Sequence, residues 1–574
     1  MSFLRRWLDA LDPAQGNLRR ATAGDPSKSH ESIRTCRSSG TPRALIAMPS
    51  TGIDRAFEQR LSALINARER GVMQGGLKGV EKESLRVNPL GVIAQTPHPN
   101  ALGSALANDC ITTDYSESLI ELVTPAFRES WELLQYLCDL HQFVYRHLRD
   151  ELLWATSMPC NISGDAGIPV ARYGRSNIGL MKHVYRVGLG HRYGRMMQAI
   201  AGVHFNYSFP LQLWPVLAAA LKERRTGQDF ISAQYFGLLR NYRRYGWLVL
   251  YLFGNSPALC SSFVAGRDHG LEEFSTGTLY APHATSLRMS DLGYRNKSQA
   301  GVHISVNSLD EYVRDLSAAV STPHPEYQKL GVKVDGEYRQ LNANLLQIEN
   351  EYYSYIRPKR VIRPGEHPTQ ALQRGGVEYV EFRALDVSAF DPVGVNQNKL
   401  RFIEAFAALC LLKRSDPIDA SEDAALDANH AVVARRGREP ALQLNRNGHA
   451  VQLRHWALEL IDSMRGICEL LDEGDAQRPY VAALELQESK IHDATRTPAA
   501  RTLEELRSTG ESFAQMALRM STMHRNYFRD LHTPNAHRLA EFAAQATASL
   551  QKQTDIERSD TMTFDQYLAN YFAR

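Results

Sequence analysis

The sequence lacks the marks of several large classes of protein. Apolar runs such as WLVLYLF, 247–253, are far shorter than the ~20 residues that a membrane-spanning helix needs. The N-terminus, MSFLRRWLDALDPAQG, has no continuous apolar segment of the kind that a secretory signal requires. The seven cysteines form no CxxC pair, which argues against a thiolate zinc site. We therefore expect a cytoplasmic protein whose cysteines are reduced thiols.

The sequence also has little excess charge of either sign. The net charge is +3, and residues 1–50 account for it, because they hold eight Lys or Arg against four Asp or Glu. The remaining residues hold 58 basic and 59 acidic side chains. The body of the chain therefore has no basic field that would attract nucleic acid or anionic lipid. We expect neither a nucleic-acid nor a membrane partner.

Common nucleotide-binding and nucleophile motifs are missing as well. There is no GxxxxGK[ST] phosphate loop, and GLGHRYG, 188–194, departs from the dinucleotide fingerprint by one position and follows no strand pattern. No GxSxG elbow is present. The candidate chemistry is therefore carried by carboxylates, a metal ion and arginine.

Composition divides the chain into three parts. Residues 1–50 are rich in Arg, Ser, Thr, Gly and Pro and poor in aromatic residues, which is typical of a disordered extension. Helix and strand patterns alternate over residues 51–400, where PGEHPTQALQRGG, 364–376, is a candidate mobile loop. Residues 401–574 are rich in Ala, Leu, Glu and Arg with few strand signals, so we predict a helical C-terminal region.

The first strand-like segment contains two acidic residues that are two positions apart. In GVEKES, 79–84, the period of two places Glu81 and Glu83 on one face. Like charges this close raise each other's pKa unless a cation lies between them. Oxygen ligands suit Mg²⁺ or Mn²⁺ rather than zinc. The alternative is a solvated strand face without a metal ion.

A second acidic segment is TTDYSESLIELVTP, 112–125. Its ending favours a strand over 118–124, but the spacing of Asp114, Glu117 and Glu121 puts them on one side in a helix also. Glu121 lies between Ile120 and Leu122, and a carboxylate in apolar surroundings is costly unless something pairs with it. Both conformations therefore predict a cluster of acids.

A histidine stands out in AGVHFNYSF, 201–209, which alternates like a strand. The apolar and aromatic residues share one face, and His204 lies on the other. It is either a structural histidine held by hydrogen bonds or a metal ligand.

Another polar pair lies within GGVEYVEFRALDV, 375–387. A strand there places Glu381 and Arg383 on the same face. A surface ion pair would contribute little to stability. A functional guanidinium, here or at Arg288, could instead hold two phosphate or carboxylate oxygens at once.

Eight segments, in this order, resemble one enzyme family. They are GVEKESLRV, SALANDCITTDYSESLIELVTP, LWATSMPC, YGRSNIGLMKHVYR, AGVHFNYSFP, PHATSLRMSDLGYRNKSQ, LQIENEYYSYIRPKR and RGGVEYVEFRALDV. The family is the proteobacterial type of glutamate–cysteine ligase, also called γ-glutamylcysteine synthetase. The resemblance is continuous from about residue 75 to 400 and weaker beyond, and residues 1–50 have no part in it.

The resemblance implies an α+β fold with a glutamine-synthetase-like catalytic core over residues 51–400. In such a core, helices wrap a curved, mostly antiparallel sheet lined by acids, and the helical region 401–574 would pack on it. The implied reaction joins the γ-carboxyl of L-glutamate to L-cysteine through γ-glutamyl phosphate, the first step of glutathione synthesis. ATP is the co-substrate, Mg²⁺ or Mn²⁺ the cofactor, and no obligate protein partner is expected.

The match to the family's motifs also implies roles for individual residues. The metal ligands are Glu81, Glu83, Asp114, Glu121, His204 and Glu381. The catalytic residue is Arg383, which would stabilise the transferring phosphoryl group. The substrate-binding residues are Arg288, which would contact a carboxylate or phosphate, and Tyr185, Arg186, Tyr294 and Tyr353, which match the amino-acid pocket where tyrosine hydroxyls meet the cysteine carboxylate.

Two other functions are compatible with these motifs. One is a carboxylate–amine ligase of the same fold that uses a different amine. The other is a non-catalytic relative that senses amino acids or nucleotide, but such a protein should have lost a metal-binding acid or Arg383, and this chain keeps them all.

Overall fold

The computed structural model describes residues 54–67, 71–294, 302–363, 365–531 and 535–573. The predicted extension, 1–50, lies outside these residues. The helices are α1 Arg55–Ile65, α2 Ser130–His147, α3 Asn177–Tyr193, α4 Arg195–Gln198, α5 Leu213–Leu221, α6 Gly227–Tyr245, α7 Trp247–Phe253, α8 Leu309–Ser321, α9 Pro325–Leu330, α10 Pro368–Gly375, α11 Gln397–Leu412, α12 Ala420–Arg436, α13 Leu453–Leu471, α14 Pro479–His492, α15 Pro498–Thr509, α16 Phe513–Asp530, α17 Ala536–Ser559 and α18 Phe564–Phe572. The strands are β1 Leu77–Val87, β2 Ile111–Thr113, β3 Leu119–Val123, β4 Leu152–Leu153, β5 Gly202–Ser208, β6 Ala258–Cys260, β7 Glu272–Ser275, β8 Thr278–Tyr280, β9 Lys333–Val334, β10 Glu337–Tyr338, β11 Ile356–Lys359, β12 Tyr379–Asp386, β13 Gln443–Arg446 and β14 His449–Gln452.

A seven-stranded sheet lies at the centre of the fold. Six strands follow the order β11-β12-β5-β1-β3-β2, and β4 pairs with the end of β1. Every pair in this sheet is antiparallel. The predicted α+β class with a mostly antiparallel sheet is therefore confirmed.

One face of the sheet carries an aromatic core. Phe205 of β5 and Phe382 of β12 lie with ring centroids 6.1 Å apart. Tyr242 of α6 packs edge-on against Phe382 at 5.2 Å and contacts Phe406 of α11 at 6.0 Å. Because alternate residues of a strand point to opposite faces, this packing leaves the polar residues of β5 and β12 on the other face.

The C-terminal region is helical as predicted, with one hairpin formed by β13 and β14. Helix α11 crosses the predicted boundary at residue 400, and its residues Leu400 and Phe406 are fully buried. The division into units 51–400 and 401–574 stays a prediction.

The interpretation of 364–376 as a mobile loop is wrong over most of its length, because Pro368–Gly375 forms α10. His367 caps this helix, accepting from the backbone of Gln370, whose side chain in turn accepts from the N–H of His367. Pro368 occupies the first turn, where its missing N–H costs nothing. A proline-rich segment can therefore begin a helix as well as a loop.

The prediction that all cysteines are reduced is wrong for two of them. Cys160 and Cys260 form a disulfide, with Cα atoms 5.3 Å apart, inside the normal range for such a bond. They are 100 residues apart in sequence, and only the packing of β6 against the loop after β4 brings them together. The prediction of a reducing, cytoplasmic location rested partly on these thiols and is not tested. Within the described ranges, no helix has both the length and the apolar character to cross a bilayer.

Candidate active site

The polar face of the sheet brings the predicted acids side by side. The register places Glu83 of β1 directly opposite Glu121 of β3, and Glu81 directly opposite His204 of β5. The strand over 118–124 is confirmed as β3, and the helical alternative is wrong. Strand β12 pairs with the other edge of β5, and Glu381 of β12 lies directly opposite Asn206 of β5. The period of two put these residues on one face, and strand pairing makes them neighbours.

A cavity of about 260 Å³ opens on this face. Its lining includes all the predicted site residues except Arg288. They are Glu81, Glu83, Asp114, Glu121, Tyr185, Arg186, His204, Tyr294, Tyr353, Glu381 and Arg383. Segments spread over three hundred residues of sequence therefore converge on one site.

Three side chains form a compact donor set for a metal ion. Glu81, His204 and Glu381 each offer an atom, and these atoms lie within 4.8 Å of one another. His204 Nδ1 is 3.2 Å from Glu81 Oε2 and 3.5 Å from Glu381 Oε1. Burial, helped by the charge of Arg383, lowers the pKa of His204, so its imidazole is neutral and able to ligate. This set of oxygens and one imidazole fits Mg²⁺ or Mn²⁺.

The other three acids extend the set across β1, β3 and the end of β2. Burial first, and then the charge of Asp114, raise the pKa of Glu83 to about 8, although the Gly202 N–H donates to its Oε2 at 2.6 Å. Burial and the charges of Glu81, Asp114 and Glu83 raise the pKa of Glu121 well above its usual value. Among the described residues, no Lys or Arg lies within ion-pair distance of the carboxylates of Asp114 or Glu121. A divalent cation bound among these carboxylates would offset their repulsion.

Glu381 and Arg383 are not a surface pair. Glu381 is 1% exposed, and Arg383 Nη1 donates to its Oε1 at 2.7 Å. Burial raises the pKa of Glu381, but Lys359, Arg383 and His204 outweigh this and hold it well below its usual value. Among the residues that the structure describes, none accepts a hydrogen bond from the buried Nε of Arg383. The guanidinium of Arg383 therefore lies beside the acids with one N–H donor that no described residue uses.

Arg288 lies behind this arrangement rather than in the cavity wall. Its Nη2 donates to the carbonyl of Arg383 at 3.1 Å, and its Nη1 is 3.6 Å from Asp386 Oδ1. A Cβ on Gly202 would lie 2.1 Å from Arg288 Nη2, so glycine is needed there for the guanidinium to pass. The predicted contact between Arg288 and a substrate would require it to leave these partners.

Tyrosines and Arg186 form another part of the cavity lining. Helix α3, which begins at Asn177 after a capping hydrogen bond from Gly179 N–H to Ser176, carries Tyr185 and Arg186. Tyr294 and Tyr353 stack with centroids 4.6 Å apart, and the Tyr294 hydroxyl donates to Ile200 at 2.9 Å. Four side chains from three segments thus complete the lining of the cavity.

Sequence reasoning missed several polar residues of the site, among them Asn206, Arg357 and Lys359. Asn206 donates to Glu81 Oε1 at 2.9 Å. Arg357 and Lys359 of β11 line the cavity, and Lys359 Nζ is 3.2 Å from Glu381 Oε2. In the strand IRPK, 356–359, Arg357 and Lys359 are two residues apart, as Glu381 and Arg383 are. This spacing is the sequence signal that could have identified Arg357 and Lys359 as site residues. Glu117, by contrast, accepts backbone N–H groups of His98 and Arg172 and has a structural role.

Comparison with known proteins agrees with this geometry. Residues 61–433 match the family model for glutamate-cysteine ligase. A glutamate–cysteine ligase from Alcanivorax borkumensis is 49% identical over 521 residues, which are 90% of this chain and 99% of the relative. One from Pseudomonas putida is 48% identical over 497 residues, 87% of this chain and 94% of the relative.

Solved structures give the same result. A crystal structure of glutamate–cysteine ligase from Francisella tularensis in complex with AMP has a TM-score of 0.82 and 35% identity, covering 87% of this chain and 98% of that chain. A bifunctional glutathione synthetase from Pasteurella multocida, at 24% identity and a TM-score of 0.65 over 83% of this chain and 55% of that one, shares the fold. The resemblance found in the sequence is confirmed, and the chain belongs to the glutamate–cysteine ligase family.

Proposed function

We propose that this enzyme ligates the γ-carboxyl of L-glutamate to the amine of L-cysteine at the expense of ATP, giving γ-glutamylcysteine, ADP and phosphate. The observation that carries the proposal is the row formed by carboxylates of β3, β1 and β12 and by His204 of β5, with Arg383 beside it. Phosphoryl transfer between anionic groups depends on positioning and on positive charge more than on a covalent nucleophile. The AMP complex of the Francisella tularensis relative supports nucleotide binding in this family.

The residues present fit a divalent cation. We expect Glu81, Glu83, Asp114, Glu121, His204 and Glu381 to hold Mg²⁺ or Mn²⁺. When bound, such ions neutralise charge on the ATP phosphates and polarise the phosphoryl oxygens. The raised pKa values of Glu83 and Glu121 support this assignment, because a cation would relieve the repulsion that raises them.

The reaction follows from where the charges lie. A γ-carboxylate oxygen of glutamate attacks the γ-phosphorus of ATP, and ADP leaves. The cysteine amine then attacks the carbonyl carbon of γ-glutamyl phosphate, and phosphate leaves with the oxygen that made the attack. Arg383, whose Nε has no acceptor in the described part of the chain, would donate to the transferring phosphoryl group. Arg357 and Lys359 add positive charge beside it.

Binding of the amino acids would fall to Arg186 and the tyrosines. Arg186 can hold a carboxylate, and Tyr185 offers a hydroxyl group. The hydroxyls of Tyr294 and Tyr353 already donate to Ile200 O and Met289 Sδ, so these two residues would offer mainly their rings to cysteine. Arg288 would position Arg383 through the carbonyl that it contacts. Glutamate, cysteine and ATP are the partners we propose.

The assay that tests the function is ADP release with glutamate, ATP and Mg²⁺, comparing four acceptors. Cysteine should give the highest kcat/KM, 2-aminobutyrate and alanine lower values, and ammonia almost none. A preference for ammonia would favour a different carboxylate–amine ligase. No glutamate-dependent ADP release with any acceptor would favour the non-catalytic relative.

A further inference from the structure

A second cavity, of about 500 Å³, lies beyond the end of β12. It opens between the segment that follows this strand and helices α7, α11, α14 and α15. It shares no lining residue with the active site. We call it the basic cavity and define it by Lys399, Lys490, Arg496, Arg501 and Asp391.

Its charge is one-sided. Four basic side chains line it, against the single carboxylate of Asp391. The larger cavity of about 1190 Å³ beside α1 is lined by as many carboxylates as basic groups. Size alone therefore does not explain the excess of positive charge in the basic cavity.

Lys399 is the most deeply buried basic residue of the basic cavity. It is 4% exposed, and within the described ranges its Nζ has neither a hydrogen-bond acceptor nor a carboxylate at ion-pair distance. Its ammonium lies 5.7 Å from the ring centroid of Phe253, which is a weak interaction for a buried charge. Burial lowers its pKa, and Asp391 and Asp386 oppose this only in part. A buried lysine without a partner is costly.

Lys490 adds a second ammonium above the same ring. Its Nζ lies 5.2 Å from the centroid of Phe253 and donates to Gln487 Oε1 at 2.6 Å. Burial and then the charges of Lys399 and Arg501 lower its pKa to about 7. The cations thus repel one another across the cavity, and a bound anion would relieve that repulsion.

Two arginines complete the cavity at its exposed rim. Arg501 stacks over the ring of Phe390, with Cζ 4.2 Å from the centroid, which fixes the guanidinium plane. Arg496 lies on the turn before α15. The buried ammonium group of Lys399, the half-buried one of Lys490 and the guanidinium groups at the rim would approach an occupant from different elements.

We propose that the basic cavity binds a small molecule that carries a phosphate group. A phosphate dianion offers several tetrahedrally arranged oxygens to donors that converge from different elements, whereas a carboxylate has one charge and two coplanar oxygens. The cavity volume falls in the range of small-ligand sites. The source is inorganic phosphate or an organic phosphate monoester, and the two rings at Phe253 and Phe390 would suit the latter.

Melting temperatures of the full chain test the proposal. They are measured in EDTA at constant ionic strength with inorganic phosphate, phenyl phosphate or succinate. A ligand that binds only the folded state at ten to a hundred times its Kd raises the Tm of a chain of this size by about 1–3 °C. We expect that shift with at least one phosphate compound and none with succinate; a larger shift with phenyl phosphate would identify an organic monoester as the ligand.

Variants separate this site from the active site. In R496Q/R501Q the phosphate shift should vanish while turnover with glutamate, cysteine and ATP is kept. The control K552Q/R558Q removes two exposed charges from α17 and should keep the shift. K399M should also lose the phosphate shift, and without phosphate it should melt no lower than the wild type. If K399M fails to fold, R496Q/R501Q still tests the proposal. No shift in the wild type, an equal shift with succinate, or a shift that survives in R496Q/R501Q would overturn the proposal.

Discussion

At the scale of single residues, Glu381 and Arg383 lie on the same strand face but have different proposed roles. Glu381 lies among the acids, with its Oε1 3.5 Å from His204 Nδ1. Arg383 lies beside it, and no described residue accepts a hydrogen bond from its Nε. A buried pair in which one partner serves a cation and the other an anion differs from a surface ion pair, whose loss would hardly be measurable. The two residues therefore have different expected phenotypes.

Arg383→Lys should lower kcat by about 10²–10³-fold, the usual cost of losing one preorganised transition-state donor. The ammonium keeps the charge but not the planar, two-pronged geometry. The KM for glutamate should change little, because the interaction is made mainly in the transition state. Steady-state kinetics check this, with Arg374→Lys as control, since Arg374 holds Glu366 in a similar fork at the surface. A near-normal kcat for R383K would contradict the role.

Glu381→Gln should be partly rescued by Mg²⁺. The variant loses an anionic ligand, so the metal is held less tightly, and higher Mg²⁺ should recover part of the lost kcat. Mg²⁺ titrations of turnover measure this. Glu378→Gln serves as control because Glu378 lies on the other face and accepts from Val361 N–H. Identical Mg²⁺ curves for E381Q and the wild type would argue against ligation by Glu381.

His141 links single-residue chemistry to stability. It is 1% exposed, its Nε2 lies 3.3 Å from Lys82 Nζ, and burial followed by the charge of Lys82 holds its pKa well below its usual value. The unfolded chain protonates this group below about pH 6.5 and the folded one does not, so stability falls as the pH drops. His141→Gln should remove up to about 1.4 kcal/mol per pH unit of that slope between pH 6.5 and 5.

Urea unfolding at several pH values measures the slope of His141→Gln. His537→Gln is the matched control, because the side chain of His537 is 84% exposed. Equal slopes for the wild type and H141Q would show that His141 is protonated in the folded protein.

At the scale of elements, the sheet shows what the sequence could and could not predict. A period of two identified the faces of β1, β5 and β12, because alternation is a local property. It could not give the register that sets Glu83 opposite Glu121, since pairing is decided between distant segments. The irregular pairing of β12 with β5 between Phe382 and Leu385 and the contribution of β11 were hidden for the same reason.

Phe382→Leu tests how the aromatic core supports the site. The ring is fully buried between Phe205 and Tyr242, so the smaller side chain should lower the free energy of unfolding by about 1–3 kcal/mol. Activity of the folded enzyme at low temperature should be largely kept, because the ring lies on the face away from the acids. Leu90→Ala, at a residue 75% exposed, should be silent. Loss of turnover in F382L without loss of stability would contradict this division of the two faces.

At the scale of the whole molecule, features made by distant contacts escaped sequence reasoning. The eight motifs identified the family because each is long and their order is fixed. The bond between Cys160 and Cys260 and the convergence of Lys399 with Lys490 arise only when separate helices and strands pack. The three-part division of the chain stays a prediction.

The central claim for the molecule is that its acid-lined face activates glutamate as γ-glutamyl phosphate. The direct measurement is oxygen transfer from glutamate labelled with ¹⁸O in the γ-carboxylate, followed by ³¹P NMR of the phosphate released with ATP and cysteine. The account predicts one ¹⁸O atom in each phosphate, because the attacking oxygen stays on phosphorus when the amine displaces it. Phosphate without ¹⁸O, formed at the same rate as the peptide product, would contradict it.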